Sequence, residues 1–374
     1  PIYYPSDKLH IGHTYCTVAT DAMARYKRLR GCEVMFLTGT DEHGDKIAKS
    51  AAKQGRSPQE FVDEISSHFR NLWPKLDIQN DYFMRTTNPE HVRLVQKFLQ
   101  KVYDNGDIYF GEHGGHYCTG CERFYTEKEL ENGLCPQHLT KPDFIQEKNY
   151  FFRMSKYMPW LRQYVLDHPD FVRPDRYRSE LLGLIDSGGL EDLCISRPKS
   201  RLSWGIELPF DKDYVTYVWF DALLNYITAL GYDPDGSSEL YKKYWPADVH
   251  IIGKDIVRFH TIYWPIMLMA LGEPLPKQVF GHPWLLFGED KMSKSRGNVI
   301  YADDLVKLLG VDAVRYYLVS EMPYASDGSI TYETIIERYN SDLANTFGNL
   351  VNRTIAMQNK YFDGVVQTPC YEPE

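Results

Sequence analysis

Short apolar runs alternate with amphipathic helical patterns along most of this sequence, and this alternation restricts the fold more than any other feature. A run at residues 2–4 precedes apolar side chains at helical spacing over residues 15–29, and Gly31 is suited to end that helix. A short run that is apolar at every position is typical of a strand that is buried on both faces of a parallel sheet. The sequence therefore predicts a doubly wound α/β fold with a parallel sheet. Further apolar runs beside helices or loops lie at 34–37, 214–220, 250–252 and 279–280.

The same patterns divide the chain into regions. Ser57 and Glu60 form a capping box at the start of a predicted helix. The periodicity weakens after residue 106, in a stretch rich in Gly, Pro, Tyr and Cys, and a long amphipathic helix follows residue 325. We predict an α/β domain in two halves with a small insertion between them, followed by the start of an α-helical bundle; the bounds are 1–106, 107–212, 213–324 and 325–374.

The composition is that of a folded, acidic protein. Of its 374 residues, 43% are hydrophobic and 25% are charged, and the formal net charge is -9. This balance argues against unspecific coating of nucleic acid, although a local basic face could still bind one RNA. No apolar run approaches the ~20 residues of a membrane-spanning helix, so we expect no membrane partner and a cytoplasmic location. Because Pro1 already lies in a strand pattern, we expect the natural chain to begin upstream and to continue past Glu374.

Three of the seven cysteines lie close to a histidine. Cys118 and Cys121 are separated by two residues, as are Cys135 and His138, which is typical of a tetrahedral Zn²⁺ site. Four protein ligands would make the site closed and structural, and it would fold an insertion that lacks a large core. A redox pair is the alternative for Cys118 and Cys121, but it leaves the other two residues unexplained. Reserve ligands in place of His138 are His113 and His116.

Two histidines occur where the first strand turns into the first helix. His10 and His13 are three residues apart, with Gly12 between them. Open α/β sheets bind ligands at the carboxyl ends of their strands, and a helix start attracts anions through its N–H groups and its dipole. Both imidazoles can therefore donate hydrogen bonds to a phosphate, and Gly12 leaves room for a base or a ribose. Solvated helix caps are the alternative.

A second cationic segment follows a late strand. Lys291 and Lys294 are three residues apart in Lys-Met-Ser-Lys-Ser, a small polar stretch that Arg296 and Gly297 follow. Lysine is a compact charge on a flexible stem, so a mobile loop of this kind suits the phosphates of a nucleotide. A basic surface loop is the alternative. Taken in order, the histidine and lysine segments resemble the HIGH and KMSKS motifs of class I aminoacyl-tRNA synthetases.

This resemblance implies a Rossmann-like catalytic domain and a reaction with ATP. In that family the substrate carboxylate attacks the α-phosphorus, pyrophosphate leaves, and a terminal hydroxyl of tRNA then accepts the aminoacyl group. The resemblance places His10 and His13 at the phosphates and the two lysines, Lys291 and Lys294, on the pyrophosphate side, with Mg²⁺ neutralising charge. The other ATP-binding residues that it implies are Gly12, Gly253 and Asp255, the last at the ribose.

The interval between the two motifs indicates which amino acid is the substrate. Family members for isoleucine, valine and leucine carry a large editing domain there, because a pocket discriminates one methylene by only ~1–3 kcal/mol. Here the interval holds only the cysteine-bearing insertion. This arrangement is similar to that of methionyl-tRNA synthetases of the bacterial type with a Cys3His zinc knuckle, in which the insertion lies over the active site and its zinc is structural.

Two stripes of apolar and aromatic residues at helical spacing follow strands, and on the pattern alone they are core. The resemblance to methionyl enzymes instead assigns them to a thioether pocket, which suits a flexible and polarisable side chain. It assigns Asp41 to the substrate ammonium. Leu223 departs from the family, where proline or a small residue often stands. The methionine-binding residues that the resemblance implies are Ile2, Tyr4, Asp41, Trp219, Ala222, Leu223, Tyr226, Ile256 and His260.

On the C-terminal helix, Asn349 and Arg353 are four residues apart and share one face. Solvated polar residues are the alternative, but the resemblance carries both to positions that contact the anticodon of tRNA(Met). The aromatic stacking residue of the family falls downstream of this chain, so we expect methionine activation but weak charging of tRNA. Two other functions remain open: another nucleotidyl-transferring enzyme, and a non-catalytic tRNA- or zinc-binding module.

Overall fold

A computed structural model describes the chain at residues 1–121, 123–125, 127–288, 290–292 and 298–366. Within these ranges it describes the backbone, but not the side chains, of His113, Arg123, Lys128, Asp290 and Lys291.

The N-terminal region alternates strands and helices, as predicted. Its elements are β1 (Ile2–Tyr3), α1 (Ile11–Leu29), β2 (Leu37–Thr40), α2 (Asp45–Lys53), α3 (Pro58–Lys75), β3 (Tyr82–Arg85) and α4 (Pro89–Asp104). The three strands form a parallel sheet in the order β1-β2-β3, with Ile2 opposite Gly39 and Leu37 opposite Tyr82.

The second strand lies further along the chain than the strand predicted at 34–37. β2 begins at Leu37, and the N–H of the preceding Phe36 donates to the Asp81 carboxylate (2.6 Å). The middle of β2 must be small, because a Cβ on Gly39 would lie 2.0 Å from the carbonyl oxygen of Met84. The apolar run at 34–37 therefore leads into the strand, and of its residues only Phe36 is buried. The position of the strand itself depends on the close approach of two backbones.

Local capping determines where the predicted helices begin and end. Ser57 Oγ accepts the N–H of Glu60 (3.3 Å), and the Glu60 carboxylate accepts the N–H of Ser57 (3.0 Å), which confirms the predicted capping box of α3. α1 ends at Leu29, and Gly31 takes the left-handed conformation with φ at +80°.

The middle region is mainly antiparallel. It contains β4 (Ile108–Cys118), β5 (Arg123–Tyr125), β6 (Asp143–Phe152), α5 (Met158–Asp167), β7 (Val172–Arg173), α6 (Asp175–Asp186), β8 (Leu193–Cys194), β9 (Ser196–Pro198), β10 (Glu207–Leu208) and β11 (Asp211–Thr216). One antiparallel sheet has the order β5-β4-β6-β8, and a second has the order β10-β11-β9. Short 3₁₀ turns lie at Glu127–Glu129 and Met154–Lys156.

The parallel pattern resumes after the insertion. The next elements are α7 (Val218–Ala222), α8 (Asn225–Thr228), α9 (Glu239–Tyr244), β12 (His250–Gly253), α10 (Trp264–Leu271), β13 (Val279–His282), β14 (Leu285–Phe287), β15 (Asp290–Lys291), α11 (Ala302–Leu309), α12 (Val311–Ser320) and β16 (Gly328–Ile330). β12, β13 and β7 form a parallel sheet, so its strands come from both sides of the boundary expected at residue 212. The domain bounds themselves remain a prediction.

The strand predicted at 214–220 is a strand only in its first part. β11 ends at Thr216, and α7 begins at Val218. The N–H of Tyr217 still bonds to the carbonyl of Ile195 (2.7 Å), but the N–H of Phe220 bonds back to the carbonyl of Tyr217 (3.0 Å). A short apolar run fits a buried strand and a buried helix equally well, and here the backbone hydrogen bonds decide.

The C-terminal region is helical, as predicted. α13 (Tyr332–Arg338), a π-helical segment (Tyr339–Phe347) and α14 (Gly348–Phe362) follow one another without a break. Ile335 is buried, whereas Leu350 and Ile355 are exposed. The apolar stripe therefore packs on the α/β part only at its start.

Two large clusters of buried side chains hold the elements together. One includes Phe152, Phe220 and Trp264, and the other includes Tyr15 and Phe69. Among the described residues, no helix combines the length and the apolarity that a membrane crossing requires.

Candidate active site

A cavity of about 640 Å³ opens beside the start of α1 and the ends of β2 and β12. All the residues predicted to bind ATP or methionine line this cavity, as far as their side chains belong to the described part of the chain. The lining residues from the predicted nucleotide site are His10, Gly12, His13, Gly253 and Asp255, and those from the predicted methionine site are Ile2, Tyr4, Asp41, Trp219, Ala222, Leu223, Tyr226, Ile256 and His260.

The two histidines at the start of α1 cap the helix, and the caps determine their tautomers. Nδ1 of His10 accepts the N–H of Gly12 (3.1 Å), and Nδ1 of His13 accepts the N–H of His10 (3.3 Å). A neutral imidazole whose Nδ1 is an acceptor carries its proton on Nε2. The two ring centroids are 3.9 Å apart. The helix start therefore presents two Nε2–H donors side by side, a chemistry suited to phosphate oxygens.

Two glycines of the site lie close to neighbouring side chains, which a larger residue would have to displace. A Cβ on Gly12 would lie 3.0 Å from Cε1 of His10, so this glycine seats the His10 ring as well as leaving the helix start open. A Cβ on Gly253 would lie 2.6 Å from Oδ1 of Asp255. The same Oδ1 lies 3.5 Å from Nε1 of Trp284, and Asp255 is exposed at the end of β12.

The predicted thioether pocket is built from two helical segments. α7 and α8 carry Trp219 and Tyr226, and the segment after β12 carries Ile256 and a π-helical turn, Phe259–Tyr263. The rings of Trp219 and Phe259 stack at 3.8 Å with an interplanar angle of 8°. These stripes belong to the core and also to the cavity wall. The two interpretations of the pattern, core packing and a binding pocket, are therefore compatible.

Tyr226 and His260 form a polar but uncharged end to this apolar pocket. Nδ1 of His260 donates to the carbonyl of Ile256 (2.9 Å), so Nε2 accepts from the Tyr226 hydroxyl (2.7 Å). Burial lowers the pKa of His260 to about 3, and burial also raises the pKa of Tyr226 above its usual value. Both groups are therefore neutral near pH 7, so this end of the pocket carries no charge.

Asp41 follows β2 directly, at the carboxyl end of a parallel strand. It is 7% exposed, and its N–H donates to the carbonyl of Tyr3 in β1 (2.9 Å). A buried carboxylate in this place can pair with a substrate ammonium.

The predicted phosphate-binding lysines are described only in part. Lys294 lies outside the described residues, and for Lys291 the structure describes the backbone alone, within β15. The adjacent Met292 is buried and lines the cavity. The chain at Lys291 therefore passes along the cavity, and the roles of both lysines remain predictions.

The four residues of the predicted metal site come together. The ligand atoms of Cys118, Cys121, Cys135 and His138 all lie within 4.8 Å of one another. Sγ of Cys121 lies 3.5 Å from Sγ of Cys135 and 3.2 Å from Nδ1 of His138. Ligands of a tetrahedral Zn²⁺ are about 3.3–3.8 Å apart, so the residues fit this ion.

The alternatives for this site fit less well. A redox pair of Cys118 and Cys121 would not need Cys135 and His138 at the same point. His116 lies outside the group, with Nε2 4.0 Å from a Glu127 oxygen, and the side chain of His113 lies outside the description.

The metal group borders the same cavity as the histidines of α1. Cys121 and His138 both line it. Arg258, which directly precedes the π-helical turn Phe259–Tyr263, pairs with Glu129 of the insertion (2.8 Å) and lines the cavity as well. The insertion is thereby tied to the segment that carries Asp255.

Several lining residues were missed by sequence reasoning: Cys16, Lys46, Arg258, His282 and Trp284. His282 is the last residue of β13, and the rule that open sheets bind ligands at strand ends could have pointed to it. Arg258 had no such signal, because its position depends on the packing of the insertion.

Asn349 and Arg353 lie away from the cavity wall. Both are exposed on α14, four residues apart on one helix face, as predicted. Their contact with an anticodon remains a prediction.

Comparisons with known proteins agree with this geometry. The family model for class I tRNA synthetases (M) matches residues 1–141 and 128–355. The methionine--tRNA ligase of Caldanaerobacter subterraneus subsp. tengcongensis is 56% identical over 374 residues, which cover 100% of this chain and 58% of that relative. The methionine--tRNA ligase of Clostridium perfringens is 57% identical, and the match covers 100% of this chain and 58% of that relative. The chain thus spans 58% of the length of these two curated relatives.

Solved structures give the same result. The Mycobacterium tuberculosis methionyl-tRNA synthetase bound by methionyl-adenylate superposes with a TM-score of 0.93 at 43% identity, covering 100% of this chain and 74% of that chain. The free form of the M. tuberculosis enzyme superposes with a TM-score of 0.82 at 38% identity, and the match covers 100% of this chain and 72% of that chain. Since the family model and both structures cover most of its length, the chain belongs to the class I tRNA synthetases of the methionyl family.

Proposed function

We propose that this chain activates L-methionine with ATP, forming methionyl-adenylate and pyrophosphate, and transfers methionine to the 3′ end of tRNA(Met). One observation carries the proposal: the histidine pair of α1, Asp41 and the Tyr226–His260 pocket line a single cavity. A cavity with phosphate-binding donors, an ammonium partner and an apolar end suits methionine and ATP together.

The reaction needs no protein nucleophile. The methionine carboxylate attacks the α-phosphorus of ATP in line, the bond to the leaving oxygen breaks, and pyrophosphate departs with its electron pair. Nε2–H of His10 and of His13 then donate to phosphate oxygens, where negative charge increases in the transition state. Catalysis is therefore positioning and charge stabilisation. We place Lys291, Lys294 and an ATP-bound Mg²⁺ on the pyrophosphate side.

Asp41 holds the substrate ammonium, and the apolar walls at Trp219 and Ile256 hold the side chain. Neutral His260 and the Tyr226 hydroxyl meet the sulfur without offering a charge, which disfavours ionic side chains. The exposed Asp255 carboxylate at the end of β12 is suited to bind the ribose hydroxyls.

We propose Zn²⁺ as the ion that Cys118, Cys121, Cys135 and His138 hold. Four protein ligands leave no open coordination position, so the ion would stabilise the insertion and take no part in adenylate formation. For the second step we propose that Asn349 and Arg353 contact the anticodon. A cytoplasmic location is part of the same proposal.

The test is amino-acid-dependent exchange of labelled pyrophosphate into ATP, measured with a panel of amino acids. We expect exchange with methionine alone. If none of the amino acids supports exchange, the result would favour a binding module. Pyrophosphate exchange that does not depend on the amino acid would favour another nucleotidyl-transferring enzyme. The matched negative control is His13→Asn, which keeps the helix cap and removes one Nε2–H donor.

A further inference from the structure

A buried carboxylate behind the cavity connects two of its walls. Asp221 is 1% exposed and lies in α7 between Trp219 and Ala222, which both line the cavity. Oδ2 of Asp221 accepts from Nδ1 of His43 (2.6 Å), and Oδ1 accepts from Nε2 of His91 (2.6 Å). In the described part of the chain, the cavity wall includes neither Asp221 nor His43. This network therefore acts from outside the substrate space.

His43 belongs to the loop that carries Asp41. The neighbouring Glu42 is held on the other side of the loop, where its Oε1 accepts from Thr40 Oγ1 (2.6 Å) and from Nε of Arg85 (2.7 Å). The carbonyl of Glu42 also accepts from Nε1 of Trp204 (2.7 Å). These bonds anchor the loop to β2 and β3. The bond from His43 to Asp221 is a direct link from the loop to α7.

The link is electrostatically strong. Burial alone would raise the pKa of Asp221, but the facing His43 and His91 outweigh burial and lower this pKa. The carboxylate is therefore charged, and hydrogen bonds to a buried charged group are short and strong. His91 extends the network to α8, since its Nδ1 lies 2.7 Å from the Thr228 hydroxyl.

We propose that Asp221 is a positioning residue: through His43 it sets the distance between the Asp41 loop and the α7 wall that carries Trp219. This inference rests on the proposed function. Methionine must reach Asp41 with its ammonium and the aromatic wall with its side chain at the same time. The spacing of these two walls therefore governs methionine binding, whereas the ATP site at α1 does not depend on it.

The experiment measures pyrophosphate exchange in His43→Ala, with methionine and ATP varied separately. We expect the KM for methionine to rise about tenfold, because a misplaced binding group loses affinity, while kcat and the KM for ATP change less than about twofold. His43→Asn places an amide N–H as many bonds from Cα as Nδ1 and should restore most of the methionine KM. Asp221→Asn, which keeps the volume but gives up one acceptor, is the second variant and should show the same split.

A double-mutant cycle tests whether the effect passes through Asp41. In an Asp41→Asn background, His43→Ala should add little to the loss of methionine affinity, because the group that it positions is already gone. If exchange by Asp41→Asn is too slow, methionine binding by equilibrium dialysis supplies the same cycle. Asp107→Asn is the matched control, since Asp107 is also a buried carboxylate but bonds to Lys156 and Tyr157 away from the cavity.

Three results would overturn the inference. The first is an unchanged methionine KM with a lower kcat in His43→Ala, which is the mark of a merely structural role. The second is a full His43→Ala effect in the Asp41→Asn background. The third is absence of methionine-dependent exchange in the unaltered chain, which would remove the proposed function as well and so differs from the other two.

Discussion

Nε1 of Trp264 donates a hydrogen bond to Nε2 of His250 (3.1 Å) in the core behind the cavity. An indole N–H can only donate, so this imidazole must be an acceptor and therefore uncharged at Nε2. Burial, followed by the neighbouring His260, lowers the pKa of His250 well below its usual value. Two histidines with lowered pKa thus lie side by side, with ring centroids 6.3 Å apart.

This pair should make the fold sensitive to acid. The pKa of His260 falls from 6.5 to about 3 on folding, so the unfolded chain binds more protons than the folded chain between these values. Stability is therefore present above pH 6.5 and is lost as the pH falls. His260 alone should cost about 2 kcal/mol between pH 7 and pH 5. The measurement is urea unfolding at both pH values. Between pH 7 and pH 5, His260→Asn should lose less free energy of unfolding than the unaltered chain. His68→Asn, at an exposed position on α3, should lose as much as the unaltered chain. Equal losses in all three proteins would contradict the assignment.

The two functions of His13 can be separated by isosteric replacements. His13→Asn keeps an acceptor at the Nδ1 position and loses the Nε2–H donor, so pyrophosphate exchange should fall ~10²–10³-fold. His13→Gln keeps a donor near the Nε2 position and loses the cap. Its pyrophosphate exchange should therefore be faster than that of His13→Asn, whereas its free energy of unfolding should be about 1 kcal/mol lower. Exchange kinetics and urea unfolding of both variants check this. An unimpaired His13→Asn would show that the histidine serves the helix only.

Removal of one cysteine should empty the metal site. In Cys135→Ser, the zinc content measured by metal analysis should fall from about one ion per chain to near zero, and the insertion should become sensitive to proteolysis. Because Cys121 and His138 border the cavity, the substrate KM values should rise as well. Cys32→Ser is the control, since Cys32 is exposed and outside the group. Full zinc content in Cys135→Ser would refute the ligand assignment.

The C-terminal helix should affect charging and not activation. Asn349→Ala combined with Arg353→Ala should reduce charging of tRNA(Met) ~10–100-fold, the loss expected for hydrogen bonds to a charged group, with pyrophosphate exchange unchanged. Thr354→Ala, whose hydroxyl bonds back to the carbonyl of Leu350 (2.7 Å), is the control on the same helix. We also expect the unaltered chain to charge tRNA weakly. Charging at the rate of a full-length relative would contradict this expectation.

Much of the fold could be predicted because local physics was sufficient. The capping box at Ser57 and the left-handed Gly31 depend only on neighbours in the chain. The register of β2 did not follow from hydropathy, because it depends on how closely Gly39 approaches Met84 in another strand. The start of α7 at Val218 was also beyond prediction, since an apolar run does not reveal which backbone partner it will take.

The site shows the same division. Short motifs pointed to His10, Asp255 and the four clustered Cys and His residues, because each motif is a local arrangement with a definite chemistry. Arg258 and Asp221, by contrast, bond to partners that are distant in sequence, Glu129 and His43. No periodicity predicts such pairs, and only the folded chain brings them together.

The residues that line the cavity extend along the chain from Pro1 to Met292. The ribosome must therefore synthesise nearly all of the α/β region before a nascent chain can bind either ligand. Binding will accordingly select completely folded molecules, and a ligand at a hundred times its Kd adds about 2.7 kcal/mol to their stability. A bound ligand would then protect fully synthesised chains from degradation, whereas incomplete chains would stay exposed to proteases.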